Sequence, residues 1–300
     1  MAGSVPHNEP STVKANGIEI VYDTFGEATA PALLLVMGLG AQMISWDEDF
    51  CRELASRGYY VIRFDNRDVG LSTKFDKAGV PNTLALLQAQ MQGEPVQAPY
   101  TLRDMADDAA GLLDALEIEA AHVVGASMGG MIAQAMAIHH PQRVRTLTSI
   151  MSSTGNPDLP HPKPEALSVL LTTPPQDQET YQQHAIKTWH VLAGPGFPVD
   201  DAFIAERAAR VFDRGLNPAG TARQMAAILT SGSRKEALQQ VSAPTLVIHG
   251  DADPLVPVEG GIDTAESIPG AELMIVGGMG HDLPPSLAPR VIDAIVAHAK

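Results

Sequence analysis

The chain has 300 residues, 45% of them hydrophobic and 18% charged, with 26 glycines, 23 prolines and a formal net charge of −15 at pH 7. That length supports one large core with room for an insertion, and the acidic balance excludes an extended nucleic-acid footprint, which needs clustered Lys and Arg. No basic start followed by an apolar stretch and no apolar run long enough for a bilayer is present, so a cytoplasmic chain without membrane insertion is expected.

Residues 1–11 hold two prolines and no apolar periodicity, and are expected to form a loose tail. Ile18 to Phe25 alternates apolar with polar residues, as a half-exposed strand does. Ala32 to Met37 is apolar without interruption, the pattern of a strand buried on both faces of a parallel sheet. A helix is predicted from about Asp47 to Ser56, with Phe50 and Leu54 at helical spacing and Gly58 as its stop. Cys51, the only cysteine, falls in it and reads as a buried structural thiol. A lone cysteine excludes an intrachain disulfide and a cysteine-based metal site. Tyr59 to Phe64 is the next buried strand and runs into the polar loop Asp65–Ser72. Residues 76–100 carry Gly79, Pro81, Gly93, Pro95 and Pro99 around the apolar run Leu84 to Leu87. So long a connection is either a surface excursion or part of a pocket wall, and the pattern leaves both open.

Thr101-Leu102-Arg103-Asp104 resembles a capping box with aspartate in the glutamate position. The helix it opens reaches Leu116, with Met105, Ala109, Leu112 and Leu113 on one face. Then comes His122-Val123-Val124-Gly125-Ala126-Ser127-Met128-Gly129-Gly130, a β-branched run that meets a serine set between glycines and leads into an alanine-rich helix. A Gly-x-Ser-x-Gly pattern alone is weak, but between a strand and a helix it reads as a nucleophile elbow built by Gly125 and Gly129. The steric reason is that a serine at a strained bend needs neighbours without bulk. Pro141 ends the helix, Val144 to Met151 makes another strand, and this alternation predicts an α/β fold with a mostly parallel sheet flanked by helices.

The alternation breaks over residues 154–240, where no buried strand is found and prolines are frequent. A helix over Asp200–Arg214 places Ile204, Ala208, Val211 and Phe212 on one face. Asn217-Pro218 is an N-cap followed by proline at the first helical position, and the helix it starts carries Met225, Ile228 and Leu229. This stretch has 8 basic and 9 acidic residues, nearly neutral against its acidic flanks. It is expected to be an inserted helical cap, whose Trp189, Phe197, Phe203, Met225 and Leu229 suit a largely uncharged substrate. Buried strands resume at Thr245–Ile248 and Ala271–Val276, and an amphipathic helix over Leu287–Ala299 closes the chain. The organisation is therefore a core in two parts, 1–153 and 241–300, around a cap at 154–240.

Serine is a poor nucleophile until a base takes its proton and a third group orients that base. Both kinds of group follow Ser127 at strand ends: Asp251 and Asp253 after Thr245–Ile248, and His281, flanked by flexible glycines, after Ala271–Val276. Catalytic groups of an open parallel sheet gather at the carboxyl ends of its strands. The order Ser…Asp…His is that of α/β-hydrolases. On these motifs the chain resembles an α/β-hydrolase fold enzyme over about residues 17–153 and 241–300. Within that fold, Leu33-Leu34-Leu35-Val36-Met37-Gly38 and Arg63-Phe64-Asp65-Asn66-Arg67-Asp68 are similar to the aclacinomycin methylesterase group of carboxylesterases.

The resemblance implies that the acid is Asp253 rather than Asp251, since Gly250, Asp253 and Pro257 meet the family's Gly-x-x-Asp-x-x-x-Pro pattern. It also implies oxyanion-hole donors at the backbone amides of Leu39 and Met128. Many relatives have His-Gly where this chain has Met37-Gly38, which alters the local pocket but not a backbone donor. No metal and no organic cofactor is implied. The expected partner is a small-molecule ester of short-to-medium length, and nothing in the sequence speaks to oligomeric state. A cofactor-free haloperoxidase or a C–C bond hydrolase would use the same triad, and a non-catalytic binding protein on this fold is the remaining alternative. Haloalkane dehalogenase and epoxide hydrolase chemistry is disfavoured, because it needs aspartate where Ser127 stands.

Overall fold

In the computed structural model, which describes residues 5–300, eight strands make one sheet. In chain order they are β1 His7–Ala15, β2 Ile18–Phe25, β3 Ala32–Val36, β4 Tyr60–Phe64, β5 Ala121–Ala126, β6 Val144–Ile150, β7 Thr245–Gly250 and β8 Glu272–Val276. Their order across the sheet is β1-β2-β4-β3-β5-β6-β7-β8. β1 and β2 run antiparallel to their neighbours, and every pairing from β4 to β8 is parallel. Between the strands lie α1 Glu48–Ser56, α2 Thr83–Met91, α3 Leu102–Ala115 and α4 Met128–His139. The segment joining β6 to β7 contains α5 Pro164–Leu171, α6 Gln178–Leu192, α7 Asp201–Asp213, α8 Pro218–Ser231 and α9 Lys235–Leu238. α10 Glu259–Ser267 and α11 Ala288–His298 complete the chain.

β3 shows why an unbroken apolar run marks a central strand. Leu34 and Val36 pack into one layer with Met105 and Leu112 of α3 and Ile132 and Met136 of α4. Leu33 and Leu35 point the other way, to Phe50 and Leu54 of α1 and Val291 and Ile295 of α11. Each fully buried leucine contributes roughly 2 kcal/mol of transfer free energy, which favours a central place in the sheet for β3. Chain progression reverses at β3, with β4 on one side and β5 on the other, which opens a crevice at its carboxyl end.

Several local expectations need correction. Residues 7–11 are not a loose tail: they begin β1, which pairs with β2 from His7 opposite Phe25 to Ala15 opposite Ile18. Backbone pairing, a stack of the His7 ring on Phe25 at 4.1 Å and a 3.1 Å contact from His7 Nε2 to Asp23 order this segment. None of these leaves an apolar period to read, and residues 1–4 lie outside the described residues. β8 is an edge strand rather than a buried one, with Leu273 40% and Ile275 37% exposed, because only β7 pairs with it. The 76–100 connection contains α2, and Val80 to Thr83 just before and at its start line the large cavity described below. The Thr101–Asp104 capping box forms as read, with Asp104 Oδ2 accepting from the Thr101 amide at 2.7 Å.

Candidate active site

β5 delivers Ser127 and α4 begins at the next residue. Ser127 sits at φ 56° and ψ −121°, a strained conformation for a residue with a Cβ. The turn closes because its neighbours are glycines. A Cβ on Gly125 would lie 2.1 Å from the Gly129 carbonyl oxygen, and one on Gly129 would lie 2.1 Å from the Val36 carbonyl oxygen. The strain presents Oγ at the end of the sheet.

Two other strand ends meet it there. His281, in the loop after β8, places Nε2 2.9 Å from Ser127 Oγ and Nδ1 2.8 Å from Asp253 Oδ2. Asp253, in the loop after β7, turns its other oxygen to the amides of Leu255 and Val256, which donate at 2.9 and 2.8 Å. Burial alone would raise the Asp253 carboxyl, but the His281 charge, the two imidazoles and the Val256 amide hold it well below the usual carboxylate range. Asp251 makes a different contact: its Oδ1 accepts from the Gly278 amide at 2.6 Å and braces the His281 loop. The structure thus brings Ser127, Asp253 and His281 together and leaves Asp251 beside them.

The loop after β3 passes over the serine, and a Cβ built on Gly38 would lie 3.6 Å from Ser127 Oγ. The amides of Leu39 and Met128 form no hydrogen bond with another described residue. Met128 also begins α4, whose first turn adds its partial positive charge at this point. Ser127, His281 and Leu39 open into a cavity of about 750 Å³ whose far wall comes from α6, α7 and α8. Of the apolar cap residues Trp189, Phe197, Phe203, Met225 and Leu229, only Trp189 and Met225 line it, together with His184. Phe197 instead packs against the core layer under α11.

Four further residues shape the surroundings of the site. Arg207, on α7, lines the cavity with its guanidinium 4.9 Å from the Trp189 ring and 5.3 Å from the Phe203 ring. It makes no hydrogen bond with another described residue, although burial opposes its charge. His249 is fully buried, contacts the Val256 carbonyl at 2.8 Å through Nε2 and lies 3.6 Å from Asp253. Gln224, on α8, reaches the loop after β3 and accepts from the Gly40 amide at 2.8 Å.

The fourth is Asp282, next to the base and only 8% exposed, whose Oδ1 has no partner among the described residues. Burial outweighs the His281 charge and the amides of Gly280 and Gly194, and pushes this carboxyl up to about 6. A carboxyl that is easier to protonate in the folded state favours folding at low pH, and that advantage is lost as pH rises from about 4 through about 6. Asp282→Asn removes the charge and keeps an acceptor, so it is expected to stabilise the protein at pH 8 by on the order of 2 kcal/mol and to do nothing at pH 4. Thermal unfolding at the two pH values checks this. An equal gain at both would mean that ionisation is not the cause.

Comparison with known proteins places these observations in context. Residues 31–285 match the family model described as alpha/beta hydrolase fold. Rhodomycin D methylesterase DauP from Streptomyces sp. (strain C5) is 30% identical over 92% of this chain and 93% of its own length. 3-Oxoadipate enol-lactonase 2 from Acinetobacter baylyi is 29% identical over 86% of this chain and 84% of its own. Among solved structures, a meta-cleavage product hydrolase from Pseudomonas fluorescens IP01 superposes with a TM-score of 0.74 at 22% identity, covering 96% of each chain, and so supports the fold. The methylesterase likeness agrees with the resemblance carried by the β3 and β4 motifs. No helix among the described residues is long and apolar enough to cross a membrane.

Proposed function

Because this chain belongs to the alpha/beta hydrolase fold family, we propose that it is a serine hydrolase that cleaves small carboxylic esters through an acyl-enzyme on Ser127. The observation that carries the reading is the unbroken line Ser127 Oγ–His281 Nε2 and His281 Nδ1–Asp253 Oδ2, at 2.9 and 2.8 Å. His281 takes the Ser127 proton as Oγ attacks the ester carbonyl, and Asp253 steadies the imidazolium that forms. The carbonyl oxygen gains charge beside the free amides of Leu39 and Met128, where preorganised donors stabilise it. His281 then protonates the leaving alcohol, and water attacks the acyl-enzyme by the same route. Asp253 suits its part because it stays ionised throughout the range in which imidazole works.

Residues 154–240 act in this scheme as a cap, and with the two flanking parts of the chain they make up the organisation read from the sequence. The cap wall is largely apolar and supports an acyl or alcohol group of short-to-medium length, while Arg207 offers a donor to a hydrogen-bond acceptor on the substrate. A cytoplasmic location belongs to the same proposal.

Turnover of p-nitrophenyl esters from acetate to octanoate tests the reading, with mono-p-nitrophenyl glutarate as a charged comparison. The expected result is measurable hydrolysis with an optimum inside the neutral series. Failure to turn over any ester, together with cleavage of a vinylogous 1,5-diketone, would move the same triad to C–C bond hydrolysis, the chemistry named for none of the esterase relatives above.

A further inference from the structure

The loop that carries Leu39 is held from both sides by side chains distant in sequence. On one flank the Asn66 amide nitrogen donates to the Met37 carbonyl at 2.9 Å. On the other the Gly40 amide donates to Gln224 Oε1 at 2.8 Å. Gln224 is fully buried, and its Nε2 donates to the Arg67 carbonyl at 2.7 Å. Both ends of its amide are used, and swapping them would oppose two donors at Gly40 and two acceptors at Arg67. Its neighbour Arg223 grips Asp68 through two bonds of 2.8 and 2.7 Å, which ties α8 to the loop after β4. Gln224 lines no part of the cavity and is placed neither to touch substrate nor to move a proton.

We infer that Gln224 is a positioning residue for ester hydrolysis: from the cap it fixes the peptide plane of Gly40 and thereby aims the Leu39 amide at the oxyanion. The inference rests on the reading of Leu39 as an oxyanion donor. Two side-chain bonds, one at Met37 and one at Gly40, bracket the Leu39 amide. With the Gly40 anchor gone, the peptide between Leu39 and Gly40 is restrained only by the 3.2 Å turn bond from the Ala41 amide to the Gly38 carbonyl, and Gly40 at φ +65° has the backbone freedom to shift. An oxyanion donor acts only while it is held in place before charge develops.

The test compares wild type, Gln224→Leu and Gln224→Glu on p-nitrophenyl butyrate at pH 6 and pH 8. Gln224→Leu is expected to lose roughly 10- to 100-fold in kcat with KM little changed, as a donor displaced by about 1 Å would cause. It should weaken inhibition by an alkyl trifluoromethyl ketone, which forms an oxyanion on the serine, by a similar factor. Gln224→Glu makes both original bonds when its buried carboxyl is protonated, and presents an acceptor to the Arg67 carbonyl when it is not. Its kcat relative to wild type should therefore rise from pH 8 to pH 6. Wild-type kcat in Gln224→Leu would overturn the inference, as would a loss confined to KM or a pH-independent ratio in Gln224→Glu. If Gln224→Leu does not fold, the Gln224→Glu ratio decides alone. Mass-spectrometric mapping of a p-nitrophenyl alkylphosphonate adduct in the wild type separates the two levels: an unlabelled Ser127 refutes the proposed function, whereas a labelled one upholds it and the kinetics then decide the role of Gln224.

Discussion

Replacing Ser127 with alanine is expected to lower kcat for p-nitrophenyl butyrate by roughly 10⁵- to 10⁶-fold, the loss seen when a serine nucleophile is removed from a triad. Thermal stability should change little. Among the described residues the Ser127 hydroxyl hydrogen-bonds only His281 Nε2, and alanine occupies the same φ and ψ with the same Cβ. The variant should keep binding substrate, because the cavity and both candidate oxyanion amides are untouched. Stopped-flow measurement of the p-nitrophenolate burst is the direct check. A burst in Ser127→Ala equal to that of the wild type would remove Ser127 from the mechanism and leave the strained bend without a purpose.

The second large effect is on stability, at Asp68. Its side chain is fully buried, and four donors converge on its carboxylate. The Phe75 amide and Arg223 Nη2 reach Oδ1 at 2.8 and 2.7 Å, and the Tyr100 hydroxyl and Arg223 Nε reach Oδ2 at 2.7 and 2.8 Å. Burial opposes the charge, but the Arg223, Phe75 and Tyr100 bonds together lower the Asp68 carboxyl below its usual range. Asp68→Ala leaves the Arg223 guanidinium, itself 0% exposed, with only the Gly79 carbonyl and the solvent-facing Asp76 as partners. Removing one member of a buried ion pair costs about 3–5 kcal/mol, a large share of the roughly 5–15 kcal/mol that holds such a domain together. Urea denaturation should show that loss in the midpoint. Asp68→Ala and Arg223→Met together should recover part of it, because the stranded charge is then gone. A double variant no better than Asp68→Ala would mean that the carboxylate matters for its bonds to Phe75 and Tyr100 alone.

These contacts mark the limit of what sequence patterns carry. The candidate triad was legible because each member stands at the end of a strand with a distinct composition, and because glycine spacing around Ser127 has a steric cause. β3, β5 and β7 were legible because burial on both faces makes their runs mostly apolar, with the polar His122, Thr245 and His249 confined to the strand ends. β1 was not, because its order comes from pairing with β2 and from the His7 contacts rather than from an apolar face. α8 was placed by its N-cap, where Asn217 Oδ1 accepts from the Gly220 amide at 3.2 Å. Yet its most consequential residues are Arg223 and Gln224, polar side chains that a search for apolar periodicity passes over. Their partners, Asp68 and Gly40, lie 155 and 184 residues away, and no local rule connects them.

The segment between β6 and β7 is tied to the site at a second place besides α8. Just past α6 the Gly196 amide donates to the Gly278 carbonyl, and the His281 amide donates to the Leu192 carbonyl, both at 2.8 Å. The middle of the segment thus holds the His281 loop, while α8, nearer its end, holds the loop over the serine. Peeling it away would break the contacts to both loops, so the helices and the two loops are expected to open as one cooperative unit. Slow amide exchange at Gly40, Gly196 and His281 would then share a single opening free energy.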